Sequence, residues 1–222
     1  MRAPANFDSD GLNAILGDWW LALREFSVEA IVVLGPDPLA GVPSRLVLAL
    51  HPPQLVEAAH ALAEDQDGSL SQGDMPSPLV SWQLLAQPAP DDLRRWRRLW
   101  LGCGYQSVLR IDFPLVGGRA FEVYLFSPRQ WHDRHEAAAL AWSALNVWPL
   151  LKQALADARN PLSPRELESL KLAFQGLTAR ASAEVMACSE RTVNFHLGNA
   201  MSKLQVESKL AAVQRACWFG LI

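Results

Sequence analysis

The stretch SERTVNFHLGNAMSKLQV, Ser189 to Val206, decides the fold of the C-terminal part of this chain. Ser189 suits a helix N-cap, and Val193, Leu197, Ala200 and Leu204 then recur at spacings of four, three and four. They make one buried stripe. At about 100° per residue, Arg191, Phe195, Gly198 and Ser202 fall opposite the stripe, with Thr192 and Asn199 beside them and Asn194 and His196 on the flanks. That outer face is free to meet something else, and its Arg, Thr and Asn are the side chains that suit phosphates and base edges in the DNA major groove.

The residues upstream complete a unit. Leu162-Ser163-Pro164-Arg165-Glu166-Leu167 reads as a capping box, with Ser163 as N-cap, Pro164 at the first helical position, Glu166 reaching back and a staple between Leu162 and Leu167. The helix it starts has Leu167, Leu170 and Phe174 as its apolar stripe, and Gly176 is placed to end it in a left-handed cap. A short helix is predicted from Thr178 to Met186, followed by the connector Ala187-Cys188-Ser189, of the length found inside a helix-turn-helix. A fourth helix, Ser208 to Phe219, is expected to return Leu210, Val213 and Trp218 to the core.

Residues 162–222 resemble the DNA-binding domain of LuxR-type regulators, and TVNFHLGNAMSKL, with Phe195, His196 and Asn199, is similar to the quorum-sensing branch of that family. Glu166, Leu170 and Gly176 fall where the family has its characteristic Glu, Leu and Gly. The resemblance implies that Asn194, Phe195 and Gly198 face DNA bases, that Arg191 and Thr192 lie nearer the phosphates, and that Lys203 belongs to the same DNA-binding set. The chain departs from the family at Ala181-Ser182-Ala183, where Glu-Ile-Ala is usual. A buried Ile replaced by Ser is expected to loosen that helix by roughly 1–3 kcal/mol unless neighbours fill the space.

Length and charge bound the rest. The 222 residues, half of them hydrophobic, suffice for an N-terminal domain at 1–156, a linker at 157–161 and the helical domain at 162–222. The net charge of −3 is uneven: residues 161–222 hold seven Lys/Arg against five acids, residues 1–160 thirteen against eighteen. A surplus of two is modest for neutralising phosphates, so two copies, a homodimer, are expected on double-stranded DNA. The N-terminal residues have no apolar segment of the signal-peptide kind and no run long enough for a membrane span, so a cytoplasmic, membrane-free protein is expected. Cys103, Cys188 and Cys217 sit among apolar residues and read as buried thiols. His132-Asp133-Arg134-His135 lacks a third metal ligand, and no carboxylate pair, nucleophile motif or phosphate loop occurs, so neither catalysis, nor a cofactor, nor a metal is expected.

Upstream, helices are predicted at 11–26, 53–65, 78–86, 91–101 and from 131, strands at 28–35, 44–50, 105–113 and 119–127, and a hairpin turn at Val116-Gly117-Gly118-Arg119. The overall class is α+β: an antiparallel sheet between helices, an α-β-α sandwich, ahead of an all-α four-helix helix-turn-helix domain. The order of elements resembles the sensor half of LuxR-type proteins, related in shape to GAF and PAS domains. The acyl-homoserine-lactone signature is absent, with Ser77-Pro78 where Asp-Pro would sit and Glu64 and Gly68 at the Trp and Tyr spacings, so the protein reads as an orphan member of the family. Trp82, Trp96, Trp100, Tyr105 and Tyr124 are the candidates to line a pocket for a small apolar signal molecule, against the plainer reading that they are core. Arg94-Arg95-Trp96-Arg97-Arg98 reads as a solvated helix face. The segment Arg134 to Leu155 is apolar all round, with Leu145, Trp148 and Leu151 as the candidate dimer contact and Pro149 expected to kink it. Three readings stay open: a DNA-binding regulator whose sensor-like domain takes an unknown ligand or none, an anti-activator that pairs with a related regulator, and a plain ligand-binding module with a vestigial tail.

Overall fold

The computed structural model describes residues 10–36, 44–65, 79–86, 94–115 and 119–222, with the side chains of Trp218 and Phe219 outside that description. Two compact units emerge, Met1–Leu155 and Ala156–Ile222.

In the first unit a run of apolar residues, Ala30-Ile31-Val32-Val33-Leu34, forms the middle of strand β1 (Ala30–Pro36), and every one of them is buried. A strand buried on both faces sits inside a sheet. The others are β2 (Arg45–His51), β3 (Leu79–Leu84), β4 (Ser107–Leu115) and β5 (Arg119–Ser127), in the antiparallel order β2-β1-β5-β4-β3. Alternation then sorts the side chains. Ile31, Val33, Leu109, Ile111, Val123 and Leu125 meet residues of α1 (Asp10–Leu23) and α4 (Arg134–Arg159). Ala30, Val32, Leu34, Val47, Val108 and Phe126 meet residues of α2 (Val56–Glu64) and α3 (Arg95–Gly102). Helices thus cover both faces, the expected α-β-α sandwich, and each fully buried Leu or Ile contributes about 1.5–3 kcal/mol.

One predicted element is of the wrong type. Residues 78–86 were expected to be helical, but Leu79 to Leu84 is the edge strand β3, paired with β4 from Leu79↔Asp112 to Leu84↔Ser107. The run is too short for periodicity to separate helix from strand, and the open edge of β4 decides it. Of the predicted turn at 116–119, residues 116–118 lie outside the described residues and Arg119 is the first residue of β5, paired with Leu115. Helix α4 continues through Pro149 as one element and takes in Asp157–Arg159, which had been read as linker. The cysteines are also misread: Cys103 is exposed, and Cys188 and Cys217 are half-buried.

The second unit is four helices: α5 (Pro164–Phe174), α6 (Ala179–Val185), α7 (Glu190–Lys203) and α8 (Lys209–Phe219). Each begins at a hydroxyl N-cap, Ser163, Thr178, Ser189 and Ser208, which accepts the N–H of the third residue on. The capping box is complete, since the Ser163 N–H donates to Glu166 Oε2 at 2.7 Å. Gly176 takes φ +84° and ends α5, the Leu177 N–H reaching back to the Leu172 carbonyl. Leu170, Val193, Ala200, Leu204, Ala212 and Ala216 form the centre of the core, and Ser182 is buried beside it in place of the larger Ile. Two predicted core residues point outward. Phe174 is exposed because the buried side of α5 is centred on Ser169 and Leu170, and Leu210, 78% exposed, lies about 200° round the helix from buried Ala212.

Candidate nucleic-acid interface

Helix α7 is aimed by the turn before it. Ala187, with φ +50°, and the bond from the Cys188 N–H to the Ala183 carbonyl (3.0 Å) end α6 and lead the chain into Ser189. Ser189 Oγ accepts the Thr192 N–H at 3.1 Å and shares a hydrogen bond with Thr192 Oγ1 at 2.8 Å. Val193, Leu197 and Ala200 are buried, as the stripe requires. Arg191, Asn194 and Phe195 are exposed, Phe195 at 63%, and follow one another at helical spacing with Gly198. A Cβ built on Gly198 meets nothing within 4 Å, so packing inside the fold does not call for glycine there, although glycine costs a helix about 1 kcal/mol relative to alanine. The sequence therefore leaves a bare backbone strip beside an arginine, an asparagine and an aromatic ring.

Thr192 and Lys203 differ from that group. Thr192 is half-buried and spends its hydroxyl on the cap. Lys203 Nζ lies 2.7 Å from Glu166 Oε2, tying the last turn of α7 to the first turn of α5. Burial pushes the Glu166 carboxyl up, but the Lys203 and Ser163 hydrogen bonds outweigh it and hold it below the usual range. Sequence reading took Lys203 as a DNA contact and Glu166 as a cap; only the structure joins them.

The other predicted sets fare unequally. Trp96, Trp100, Tyr105 and Tyr124 come together in the core under α2 and α3, while Trp82 packs against the cluster on the opposite face of the sheet. The reason is the strand identity of residues 79–84, since Trp82 pairs with Leu109 and shares its face. The expected dimer residues face inward. Leu151 is 1% exposed, Leu145 and Trp148 pack on the same cluster, and the Trp148 ring stacks on Phe113 with centroids 4.0 Å apart. What α4 presents outward is Trp142 and Leu150, 66% and 64% exposed. At the start of α3, Arg94 pairs with Asp65 and Arg95 with Glu64, and Trp96 and Trp100 are buried, which fits a solvated face. Among the described residues no cluster of His, Cys, Asp and Glu could hold a metal, and no helix is long and apolar enough to cross a membrane.

A capped second helix, a left-handed turn and an exposed polar side on the following helix define a helix-turn-helix module. Residues 160–216 match the family described as "Bacterial regulatory proteins, luxR family". The C-terminal unit is a DNA-binding domain of that family. It is 44% identical over 61 residues to "Transcriptional activator protein AnoR" of Acinetobacter nosocomialis, which covers 28% of this chain and 26% of that protein. It is 47% identical over 64 residues to "HTH-type quorum sensing-dependent transcriptional regulator RpaR" of Rhodopseudomonas palustris, 29% of this chain and 26% of that one. The matched stretch thus spans about a quarter of each of these relatives. Across both units the fold is similar to Escherichia coli SdiA, with a TM-score of 0.51 and 19% identity over 96% of this chain and 93% of that one. A structure of SdiA in complex with octanoyl-rac-glycerol is similar to the same degree, at a TM-score of 0.51 and 18% identity over 95% and 89%.

Proposed function

We propose that the protein is a sequence-specific transcriptional regulator of the LuxR type, cytoplasmic, not an enzyme, and active as a homodimer on two-fold symmetric DNA. The observation that carries this reading is the outer face of α7, where Arg191, Asn194, Phe195 and the open backbone at Gly198 lie on one exposed side. Asn194 and Phe195 read base edges, Gly198 lets the backbone approach, and Arg191 neutralises phosphate. Gel shifts on a symmetric site with half-sites about one helical turn apart test it. Asn194→Ala should relax specificity, and Arg191→Ala should weaken binding to all sequences and flatten the salt dependence. If the protein binds no DNA at any salt, the anti-activator reading takes over.

The dimer is supported by the outward side of α4. Ala138, Trp142, Asn146 and Leu150 are exposed at intervals of four and carry no charge. Two copies paired antiparallel about Asn146 bring Trp142 of one onto Leu150 of the other, the self-matching geometry a two-fold interface needs. Sedimentation at micromolar concentration should give a dimer, and Trp142→Glu or Leu150→Glu a monomer that keeps the wild-type circular dichroism spectrum. Variants that still dimerise would move the contact elsewhere.

A further inference from the structure

Among the described residues of the N-terminal unit, the indoles and charged side chains between the sheet and α2/α3 have internal partners. Trp100 is fully buried and lies flat on Phe126, with centroids 3.5 Å apart and planes 2° from parallel, and its indole N–H donates to the Ala58 carbonyl at 3.2 Å. Trp96 donates its N–H to Asp65 Oδ2 at 2.9 Å, and Tyr105 closes on Trp100 edge-on at 5.2 Å. At the other end of the same sheet face, Glu122 Oε2 receives Tyr124 Oη at 2.6 Å, Arg45 Nη1 at 2.9 Å and Arg110 Nη2 at 3.3 Å, and Arg110 Nε donates to Asp112 Oδ1 at 2.7 Å. Two guanidiniums and two carboxylates leave no net charge.

Arg45 carries the network upward. Besides Glu122 it donates to the carbonyls of Leu62 (2.8 Å), Ala63 (3.3 Å) and Asp65, so one side chain fastens the end of α2 to the floor of the sheet. The Asp65 carboxylate in turn holds Trp96 and Arg94 of the α3 entrance. A domain that waits for its ligand leaves donors and acceptors for that ligand to satisfy, because buried polar groups need partners. Here the indoles of Trp96 and Trp100, the Tyr124 hydroxyl and the Arg45–Glu122–Arg110 group are satisfied inside the fold.

We infer that the N-terminal unit carries a built-in occupant: Trp100, seated on Phe126, edged by Tyr105 and tied to the Ala58 carbonyl, holds the place of a small acyl ligand, so the unit folds unliganded and DNA binding is constitutive toward such ligands. Only the DNA part of this rests on the proposed function; the folding part stands by itself. The test is thermal melting of the full chain with N-octanoyl-homoserine lactone and with 1-octanoyl-rac-glycerol, each up to solubility. A probe present at about a hundred times its Kd would raise Tm by several degrees. Wild type should melt cooperatively without additive and shift with neither probe. Trp100→Ala should melt lower and regain several degrees with the octanoyl glycerol, since an emptied apolar site accepts apolar guests. If Trp100→Ala does not fold, Trp100→Leu, which removes less, replaces it. A wild type that needs or is stabilised by either probe overturns the inference, as does a folded Trp100 variant indifferent to both. Gel shifts run in parallel should show the same affinity with and without probe. Loss of all DNA binding would sink the regulator reading while leaving the melting result standing.

Discussion

The outer face of α7 and the covered face of the sheet are built from similar side chains and use them in opposite ways. On α7 an arginine, an asparagine and an aromatic ring stay exposed beside open backbone at Gly198. Under α2 and α3, arginines, carboxylates and aromatic rings are turned on one another, with Trp96 and Trp100 each donating inside the fold. A recognition surface is marked by polar groups with nothing in the fold to meet, and a structural one by the same groups fully matched. The contrast recurs on α4, where Leu150 points out and its neighbour Leu151 points in.

That last pair gives the largest expected effect. Leu151→Ala should cost the N-terminal unit about 2–5 kcal/mol in urea unfolding, whereas Leu150→Ala should stay within about 0.5 kcal/mol in the monomer. Equal losses would erase the distinction between the two sides of α4. Next comes Asn194→Ala, expected to weaken binding to the preferred DNA site by about 1–3 kcal/mol with the melting temperature unmoved. Gly198→Ala sharpens the contrast further: it should stabilise the free protein by up to about 1 kcal/mol while weakening DNA binding. A variant that is more stable and binds equally well would mean that the bare backbone there has no recognition role.

The smallest expected effect separates the two units by pH. Glu166 is held below its usual 4.5, so its contribution to stability is present above 4.5 and is lost as pH falls through the lowered value. Asp112 is pushed above its usual 3.8, burial outweighing the Arg110 charge beside it, so its contribution is full below 3.8 and is lost as pH rises through the raised value. Acidification should therefore weaken the C-terminal unit through Glu166 and favour the N-terminal unit through Asp112. Hydrogen exchange resolved by residue, compared among wild type, Glu166→Gln and Asp112→Asn, reads both; shifts of the same sign in the two units would refute the assignment.

The C-terminal unit was legible because its information is local. Each helix start is written in a hydroxyl residue with its partner three positions on, and α7's stripe repeats over twelve residues, from Val193 to Leu204, with no competing pattern. Phe174 and Leu210 escaped because their burial depends on which side of α5 and α8 meets the rest, and small Ala212 and Ala216 rather than large Leu210 mark the contact. In the N-terminal unit, Trp82 was misplaced once β3 was taken for a helix, since two-residue alternation decides its face. The Arg45–Glu122 pair joins residues far apart in the chain, and nothing local announces it. One trace was present: Glu122 and Tyr124, and likewise Arg110 and Asp112, are polar residues two apart between apolar neighbours, which is how a polar patch on one sheet face is written.

The order of strands has a consequence for how the protein is made. Strand β1 lies between β2, its successor in the chain, and β5, with Ala30 paired to Phe126. During synthesis β1 and β2 therefore emerge as a ribbon with an open, strongly apolar edge, and that edge stays uncovered until residues 119–127 have left the ribosome. The helices of the C-terminal unit close mainly on near neighbours in sequence and need no such wait. Seating β5 between β1 and β4 is thus the step at which a nascent chain is most exposed to wrong partners, and a chaperone's demand on this protein falls in that interval.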